Sequence, residues 1–186
     1  MLKNIAAAIL AGGCARRLNG LAKGNILLAS GVTVIERLLS ELNQVGIKEV
    51  VISGENSAYQ RYQLPMIADK RKQIGPLAGI EAVLAHYQDR FTATLFLPCD
   101  LPRITAREIK ELIDQYDDEI VFAATDTANW HPLCVVVQNS LLADIQSSID
   151  NGVRSIKEVW RTCGAKPVFF SDRAAFANWN NWQDFA

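Results

Sequence analysis

A loop rich in glycine and basic side chains follows the first apolar run of the chain. Residues 10–24 read LAGGCARRLNGLAKG, with four glycines and the cations Arg16, Arg17 and Lys23. Glycines let backbone N–H groups come close to an anion, and the three cations would balance the charge of a polyphosphate. The spacing is neither that of a Walker loop nor that of a dinucleotide fingerprint. Because a solvated surface loop can have the same composition, phosphate binding and mere solubility both stay open here.

A single carboxylate stands at the end of another apolar run, in PCDLP at residues 98–102. The two flanking prolines would hold Asp100 rigidly in place. Carboxylate oxygens are ligands that Mg²⁺ prefers, and Mg²⁺ keeps phosphates as partners. The sequence therefore makes Asp100 a candidate magnesium ligand, with a turn or helix cap as the alternative role.

Three further positions are weaker candidates. Gly75-Pro76 in KQIGPLAGI forces a turn, and Gly79 would allow close backbone packing at a helix start. Asp69 is a second carboxylate near that turn. His131, before Pro132, has the chemistry of a base, but a lone histidine where a strand begins is more often a hydrogen-bonded structural residue.

The elements that must position these residues alternate between short apolar runs and segments with helical spacing. This alternation is typical of a βαβ protein. The predicted strands are Ile5–Leu10, Glu49–Ser53, Thr94–Pro98, Glu119–Ala124, Leu133–Val137 and Lys166–Phe170. Apolar stripes predict helices over 35–45, before Gly46, and over 141–149, before Gly152. A third is predicted over 109–116, opened by a capping box of Thr105 and Glu108.

Continuous apolar strands indicate a sheet that is covered on both faces. We therefore expect an α/β protein, a single three-layer α/β/α domain over residues 1–186 with a mostly parallel, Rossmann-like sheet. In such sheets ligands bind outside the carboxyl ends of the strands. The segments expected to converge there are Gly12–Lys23, Ser53–Asn56, Asp69–Gly79, Cys99–Pro102 and His131.

Composition narrows the class of partner. The chain has 186 residues, is 49% hydrophobic and has a formal charge of −1, so no broad basic face indicates nucleic acid. Its four cysteines lie far apart in the sequence and form no C-x-x-C pair, so we expect them to be reduced thiols. No apolar run is long enough for a membrane helix. The opening stretch could also be an export signal. Its apolar core is short, however, and Lys3 is its single basic residue, so we expect a cytoplasmic protein.

Several motifs together resemble one known family. LAGG, Arg17 and Lys23 are similar to the L-A-G-G-x-x-x-R-M-G-x-x-x-K signature of the glycosyltransferase-A-like nucleotidyltransferases. Later segments resemble landmarks of one branch, the molybdenum cofactor guanylyltransferases: GPLAGI, PCDLP, HPL, NGVRSIKEVW and FANWNNWQDF. The resemblance runs in order from Ala8 to Phe185 and so covers nearly the whole chain.

The resemblance implies an activity and a set of ligands. The activity is transfer of GMP from Mg-GTP to the terminal phosphate of molybdopterin or its molybdenum-loaded form, with release of pyrophosphate. Mg²⁺ would be the cofactor, and GTP and molybdopterin the substrates. Other molybdenum cofactor biosynthesis proteins and acceptor apoenzymes would be protein partners, and neither nucleic acid nor a membrane would be involved.

The resemblance also assigns roles to residues. Lys23, Asp100 and Arg17 would be catalytic, with Asp100 holding the metal. The nucleotide would contact Leu10, Ala11, Gly12, Gly13, Lys23, Ser53, Asp69 and Asp100. More weakly, the pterin substrate is expected near Arg154, Ser155, Asn178 and Asn180.

The chain departs from the family pattern at several positions. Leu18 and Asn19 replace Met-Gly, Ala22 replaces an Asp, Ser53 replaces an Asn, and an extra residue lies around Asn25. These changes leave base choice open between GTP and CTP. Transfer to a sugar phosphate and a non-catalytic, nucleotide-binding assembly partner are the remaining alternatives.

Overall fold

The computed structural model describes residues 4–12 and 22–179 of the chain. In these residues seven strands are described: β1 (Ile5–Leu10), β2 (Val50–Ser53), β3 (Met66–Ile67), β4 (Ala93–Pro98), β5 (Val121–Ala124), β6 (Trp130–Gln138) and β7 (Lys166–Phe169). The same part of the chain has five α-helices: α1 (Val34–Gln44), α2 (Pro76–Tyr87), α3 (Ala106–Gln115), α4 (Leu142–Asp150) and α5 (Ile156–Thr162). Short 3₁₀ helices include Lys23–Asn25 and Ser57–Tyr62.

The strands form one sheet in the order β3-β2-β1-β4-β6-β5-β7. All neighbouring pairs are parallel except those of β6, which runs antiparallel to β4 and β5. The expected mostly parallel sheet is thus confirmed. Because β6 runs backwards, its first residues lie at the same edge as the carboxyl ends of β1 and β4.

Helices cover both faces of the sheet, as the apolar strands predicted. In β1, Ala7 and Ile9 pack into a core with α1 and α3, whereas Ala6 and Ala8 pack into a second core with α2, α4 and α5. Central strands are therefore buried on both sides. This arrangement is the expected three-layer α/β/α architecture.

The three helix ends predicted from local signals are confirmed. Thr105 and Glu108 form the expected capping box at α3, and Thr33 with Glu36 forms another at α1. Gly46 and Gly152 follow α1 and α4 with φ of 84° and 86°, a conformation that favours glycine. These caps set the ends of the helices on both faces.

Strand β6 is longer than predicted, since it begins at Trp130 rather than Leu133. Its pairing with β5 shifts register between Phe122 and Ala123, so the apolar alternation is interrupted there. Proline is tolerated in strands at such irregularities, which accounts for Pro132. As a result His131 lies inside a strand.

Within the described residues, no helix is both long enough and apolar enough to span a bilayer.

Candidate functional site

A cleft of about 580 Å³ opens at the carboxyl edge of the sheet. The strand order reverses between β1 and β4, because the chain goes from β1 to β2 on one side and later adds β4 on the other. Such a switch point is where α/β sheets bind ligands. The cleft is lined by at least one residue of every segment that was expected to converge: Gly12, Lys23, Ser53, Asp69, Gly79, Asp100 and His131.

Small residues bring the ends of β1 and β2 close together at the floor of the cleft. Gly54 has a φ of 112°, and a Cβ added there would lie 2.7 Å from the Cα of Gly12. A Cβ on Gly79 would lie 2.4 Å from the Oγ of Ser53. Side chains at these glycines would fill the space beside Leu10 and Gly12, so the glycines keep the backbone of these two residues open to a ligand.

Lys23 and Asp100 form an ion pair in the cleft. The Lys23 Nζ donates to the Asp100 Oδ2 at 3.1 Å, and the two side chains are only 23% and 18% exposed. Lys23 begins the Lys23–Asn25 turn, and Asp100 follows β4, so the pair joins two separate segments at the switch point. An ammonium beside a carboxylate can bind a phosphate anion and a cation at adjacent points.

The segment after Asp100 is held in place by α1. Arg37 Nη1 donates to the carbonyls of Pro102 and Ile104, the latter at 2.7 Å. The Trp179 N–H donates to the Asp100 carbonyl at 3.0 Å. The carboxylate of Asp100 therefore projects from a fixed backbone.

Asp69 provides a second carboxylate near the first loop. A Cβ placed on Gly79 would lie 3.4 Å from its Oδ1, and one on Gly12 would lie 3.9 Å from its Oδ2. Desolvation by the surrounding protein raises the pKa of Asp69. A hydrogen-bond donor or cation on a ligand would favour the ionised form and offset this desolvation.

His131 has a different environment from the expected hydrogen-bonded one. Its ring stacks on Phe176 with centroids 4.9 Å apart, and its buried Nε2 has no hydrogen-bond partner among residues 4–12 and 22–179. Burial, with the nearby Lys157 as a second cause, lowers its pKa. The imidazole is therefore neutral at neutral pH.

The residues predicted near a pterin are not brought together. Asn178 lines the cleft, whereas Arg154 donates to the carbonyls of Ile149 and Val153, and Ser155 caps α5 by accepting from the Glu158 N–H. Neither Arg154 nor Ser155 lines the cleft. Gly13, Arg17 and Asn180 lie outside the described residues, so their roles stay predictions.

Sequence reasoning singled out none of four further residues that line the cleft, Tyr59, Trp130, Leu133 and Ile156. Tyr59 and Trp130 belong to no motif, whereas Leu133 lies in HPL and Ile156 in NGVRSIKEVW. Tyr59 is an aromatic residue within the polar stretch ENSAYQRYQ, which was a faint signal of burial. The others reach the cleft because β6 runs antiparallel and α5 packs against it, which no local pattern shows.

The donor set of the cleft fits magnesium. No cluster of three or more His, Cys, Asp and Glu that could enclose a metal occurs in the described part of the chain. Mg²⁺ does not need such a cluster, because it is held by one or two carboxylates together with substrate phosphates and water. Asp100 at the mouth of β4 supplies such a carboxylate.

Comparison of the sequence with known proteins gives consistent matches. A family model described as the MobA-like NTP transferase domain matches residues 7–165. A molybdenum cofactor guanylyltransferase from Serratia proteamaculans is 31% identical, covering 99% of this chain and 93% of the relative. Another, from Photobacterium profundum, is 29% identical over 92% of this chain and 89% of its own length.

Solved structures show the same fold. Molybdopterin-guanine dinucleotide biosynthesis protein A from Archaeoglobus fulgidus matches with a TM-score of 0.75 at 21% identity, covering 97% of this chain and 94% of that one. The 4-diphosphocytidyl-2C-methyl-D-erythritol synthase from Anaerococcus prevotii also has a TM-score of 0.75, at 14% identity, with coverages of 98% and 93%. The chain therefore belongs to the MobA-like NTP transferase family, on its molybdenum cofactor guanylyltransferase branch, and is a nucleotidyltransferase.

Proposed function

We propose that this enzyme transfers GMP from Mg-GTP to the terminal phosphate of molybdopterin or its molybdenum-loaded form. A phosphate oxygen of the acceptor attacks the α-phosphorus of GTP. The bond from that phosphorus to the α–β bridging oxygen breaks, and pyrophosphate leaves. The observation that carries the proposal is the Lys23–Asp100 pair at the switch point, beside the open backbone of Gly12.

The first loop would hold the nucleotide. The backbone of Leu10, Ala11 and Gly12 ends β1 at the cleft, and Gly13 would complete the turn around the phosphates. Lys23 would pair with triphosphate oxygens, and Arg17 would add a second positive charge. Phosphoryl transfer asks a protein mainly to position the reactants and to neutralise charge, which these groups do.

Asp100 would hold Mg²⁺. Bound Mg²⁺ would supply positive charge to offset the charge that builds up on the leaving pyrophosphate. Asp100 would hold the metal at a defined place, because the Asp100 backbone is anchored through Arg37 and Trp179. Lys23 would leave its ion pair with Asp100 to meet the phosphates.

No strong general base is needed. The nucleophile is a phosphate, which is already an anion at neutral pH. His131 is neutral, and its Nε2 is buried against Phe176, so proton abstraction is not assigned to it.

The other half of the cleft would take the acceptor. Trp130, Leu133 and Ile156 add apolar side chains to the lining of the cleft and Asn178 adds an amide, a combination that suits a flat heterocycle with polar edges. Arg154, Ser155 and Asn180 remain weaker candidates for contact with the pterin. We place the reaction in the cytoplasm, with molybdenum cofactor biosynthesis proteins and acceptor apoenzymes as the enzyme's partners.

Asp69→Asn should weaken the binding of Mg-GTP while it stabilises the folded protein. The raised pKa means that ionised Asp69 destabilises the folded state, and this penalty is present above the raised pKa and vanishes as pH falls below the ordinary value. At pH 7 the variant should have a slightly higher melting temperature, because Asp69 is exposed and only partly desolvated. It should bind Mg-GTP about 10-fold more weakly, as expected for one lost hydrogen bond to a charged group.

The Asp69 prediction is checked by calorimetric titration with Mg-GTP and by melting curves between pH 4 and pH 8. The gain in melting temperature should shrink toward pH 4. Asp126→Asn is a useful contrast, because hydrogen bonds from Asn129 and Ala128 lower the pKa of Asp126, so its replacement should destabilise the protein at pH 7. Unchanged GTP affinity in Asp69→Asn would remove this residue from the nucleotide site.

A nucleotide and acceptor panel tests the proposed function. Pyrophosphate release should be fastest with GTP and molybdopterin together, and at least about 10-fold slower with CTP, a discrimination of about 1.4 kcal/mol. Faster release with CTP, or with a sugar phosphate as acceptor, would contradict the proposal. Tight GTP binding without any Mg²⁺-dependent turnover would favour a non-catalytic assembly partner instead.

A further inference from the structure

Tyr59 lies beside the turn that carries Lys23, in the cleft that also holds Asp100. Its hydroxyl accepts a hydrogen bond at 3.3 Å from the backbone N–H of Gly24, the residue after Lys23. Tyr59 also belongs to the same buried apolar cluster as Cys99, the residue before Asp100, and both line the cleft. One side chain thus anchors the turn that carries Lys23 within the core that supports Asp100.

The hydrogen bond from Gly24 to Tyr59 lies in the protein interior. Tyr59 is 2% exposed and Cys99 is 8% exposed. A hydrogen bond in such a low-dielectric place is stronger than the same bond at the surface, so it fixes the Lys23 turn more firmly than a surface contact would.

The turn that bears Lys23 has little freedom apart from this link. A Cβ on Gly24 would lie 2.4 Å from the Cδ1 of Ile35, so the turn is pressed against α1. Asn25, at the site of the extra residue, donates to the Ala58 carbonyl at 2.8 Å and accepts from the Tyr62 hydroxyl at 2.5 Å. The 3₁₀ helix Ser57–Tyr62 therefore holds the turn at three points.

We propose that Tyr59 is a positioning residue that holds the turn carrying Lys23 and so places the Lys23 ammonium relative to the Asp100 carboxylate. The inference rests on the proposed function, in which these two groups act on one metal-bound triphosphate. A displacement of about 1 Å in such a pair can cost on the order of 100-fold in rate. Tyr59 acts through Lys23 and Asp100, and it need not touch the substrate.

Tyr59→Phe removes the hydroxyl and keeps the ring. We expect kcat/KM for guanylyl transfer to fall about 10- to 100-fold, within the range for a misplaced charge pair. In a Lys23→Ala background the same change should cost less than about 2-fold, because residues that act as one unit are not additive. Tyr87→Phe is the matched control, since Tyr87 is a buried tyrosine near the opposite end of the sheet and should leave kcat/KM unchanged.

A second variant keeps the test valid if Tyr59→Phe folds poorly. Asn25→Ala breaks both side-chain contacts of the same turn, and it should give a smaller loss that also vanishes in the Lys23→Ala background. An equal loss in both backgrounds, or no loss in either variant, would overturn the inference.

Binding of Mg²⁺ with inorganic triphosphate separates the inference from the proposed function. Calorimetry should show weaker binding by Tyr59→Phe than by the wild type, whatever base or acceptor the enzyme prefers. If the wild type binds this probe but transfers no GMP to molybdopterin, the proposed function fails while the inference can still hold. If the wild type transfers GMP and Tyr59→Phe binds the probe normally, the inference fails alone.

Discussion

Asp100→Asn is expected to lower Mg²⁺-dependent guanylyl transfer by a factor of about 10³ or more, near the top of the range for one lost electrostatic group. The asparagine keeps the shape of the side chain but removes the negative charge that would hold the metal. It also removes the partner at 3.1 Å from the Lys23 ammonium. Turnover measured against Mg²⁺ concentration should show a higher requirement for metal as well as a lower maximum.

Asp114→Asn is the matched control for this loss. Asp114 also pairs with a lysine, Lys110, but on the exposed surface of α3. Such surface pairs contribute about 0–1 kcal/mol, so turnover should not change. If Asp100→Asn kept more than a tenth of wild-type turnover at the same Mg²⁺ concentration, Asp100 would not be the metal ligand.

Lys23→Ala should lower kcat/KM for GTP by about 10² to 10³, the usual loss for one well-placed electrostatic donor. The ammonium would no longer meet the triphosphate as the pyrophosphate leaves. In the nucleotide-free protein, the same substitution should strengthen the binding of Mg²⁺. The Asp100 carboxylate then has no ion pair with Lys23, so no cation competes with the metal for it.

The two opposite effects of Lys23→Ala distinguish a lost catalytic group from a damaged fold. Steady-state kinetics measures the fall in kcat/KM, and calorimetric titration with Mg²⁺ alone measures the tighter binding of the metal. Lys110→Ala removes the other lysine of a Lys–Asp pair and should change neither value. Full activity in Lys23→Ala would show that the lysine has no role in the transfer.

Much of the fold follows from local patterns. Strand β1 was predicted over Ile5–Leu10 and occurs there, because its residues are buried on both faces and leave an unbroken apolar run. The capping box of Thr105 and Glu108 likewise placed the start of α3. The two-residue strand β3 was missed, since Met66 and Ile67 are too few to form a pattern.

The candidate site was predictable where it depends on parallel strands. Residues after β1 and β4 had to meet at one edge, which placed Lys23 and Asp100 in one cleft. Tyr59 and Trp130 were not predictable, because their positions depend on tertiary packing of the 3₁₀ helix Ser57–Tyr62 and on an antiparallel strand with an irregular register. The ion pair of Lys23 with Asp100 could not be predicted from the sequence either, since 77 positions separate the two residues.

Transfer of label from GTP tests the central claim most directly. The enzyme is incubated with Mg²⁺, molybdopterin and GTP labelled at either the α- or the γ-phosphorus, and the products are separated. We predict that the α-label appears in a molybdopterin guanine dinucleotide and the γ-label appears in pyrophosphate. Recovery of both labels in unreacted GTP, while CTP or a sugar phosphate supports transfer, would contradict the account.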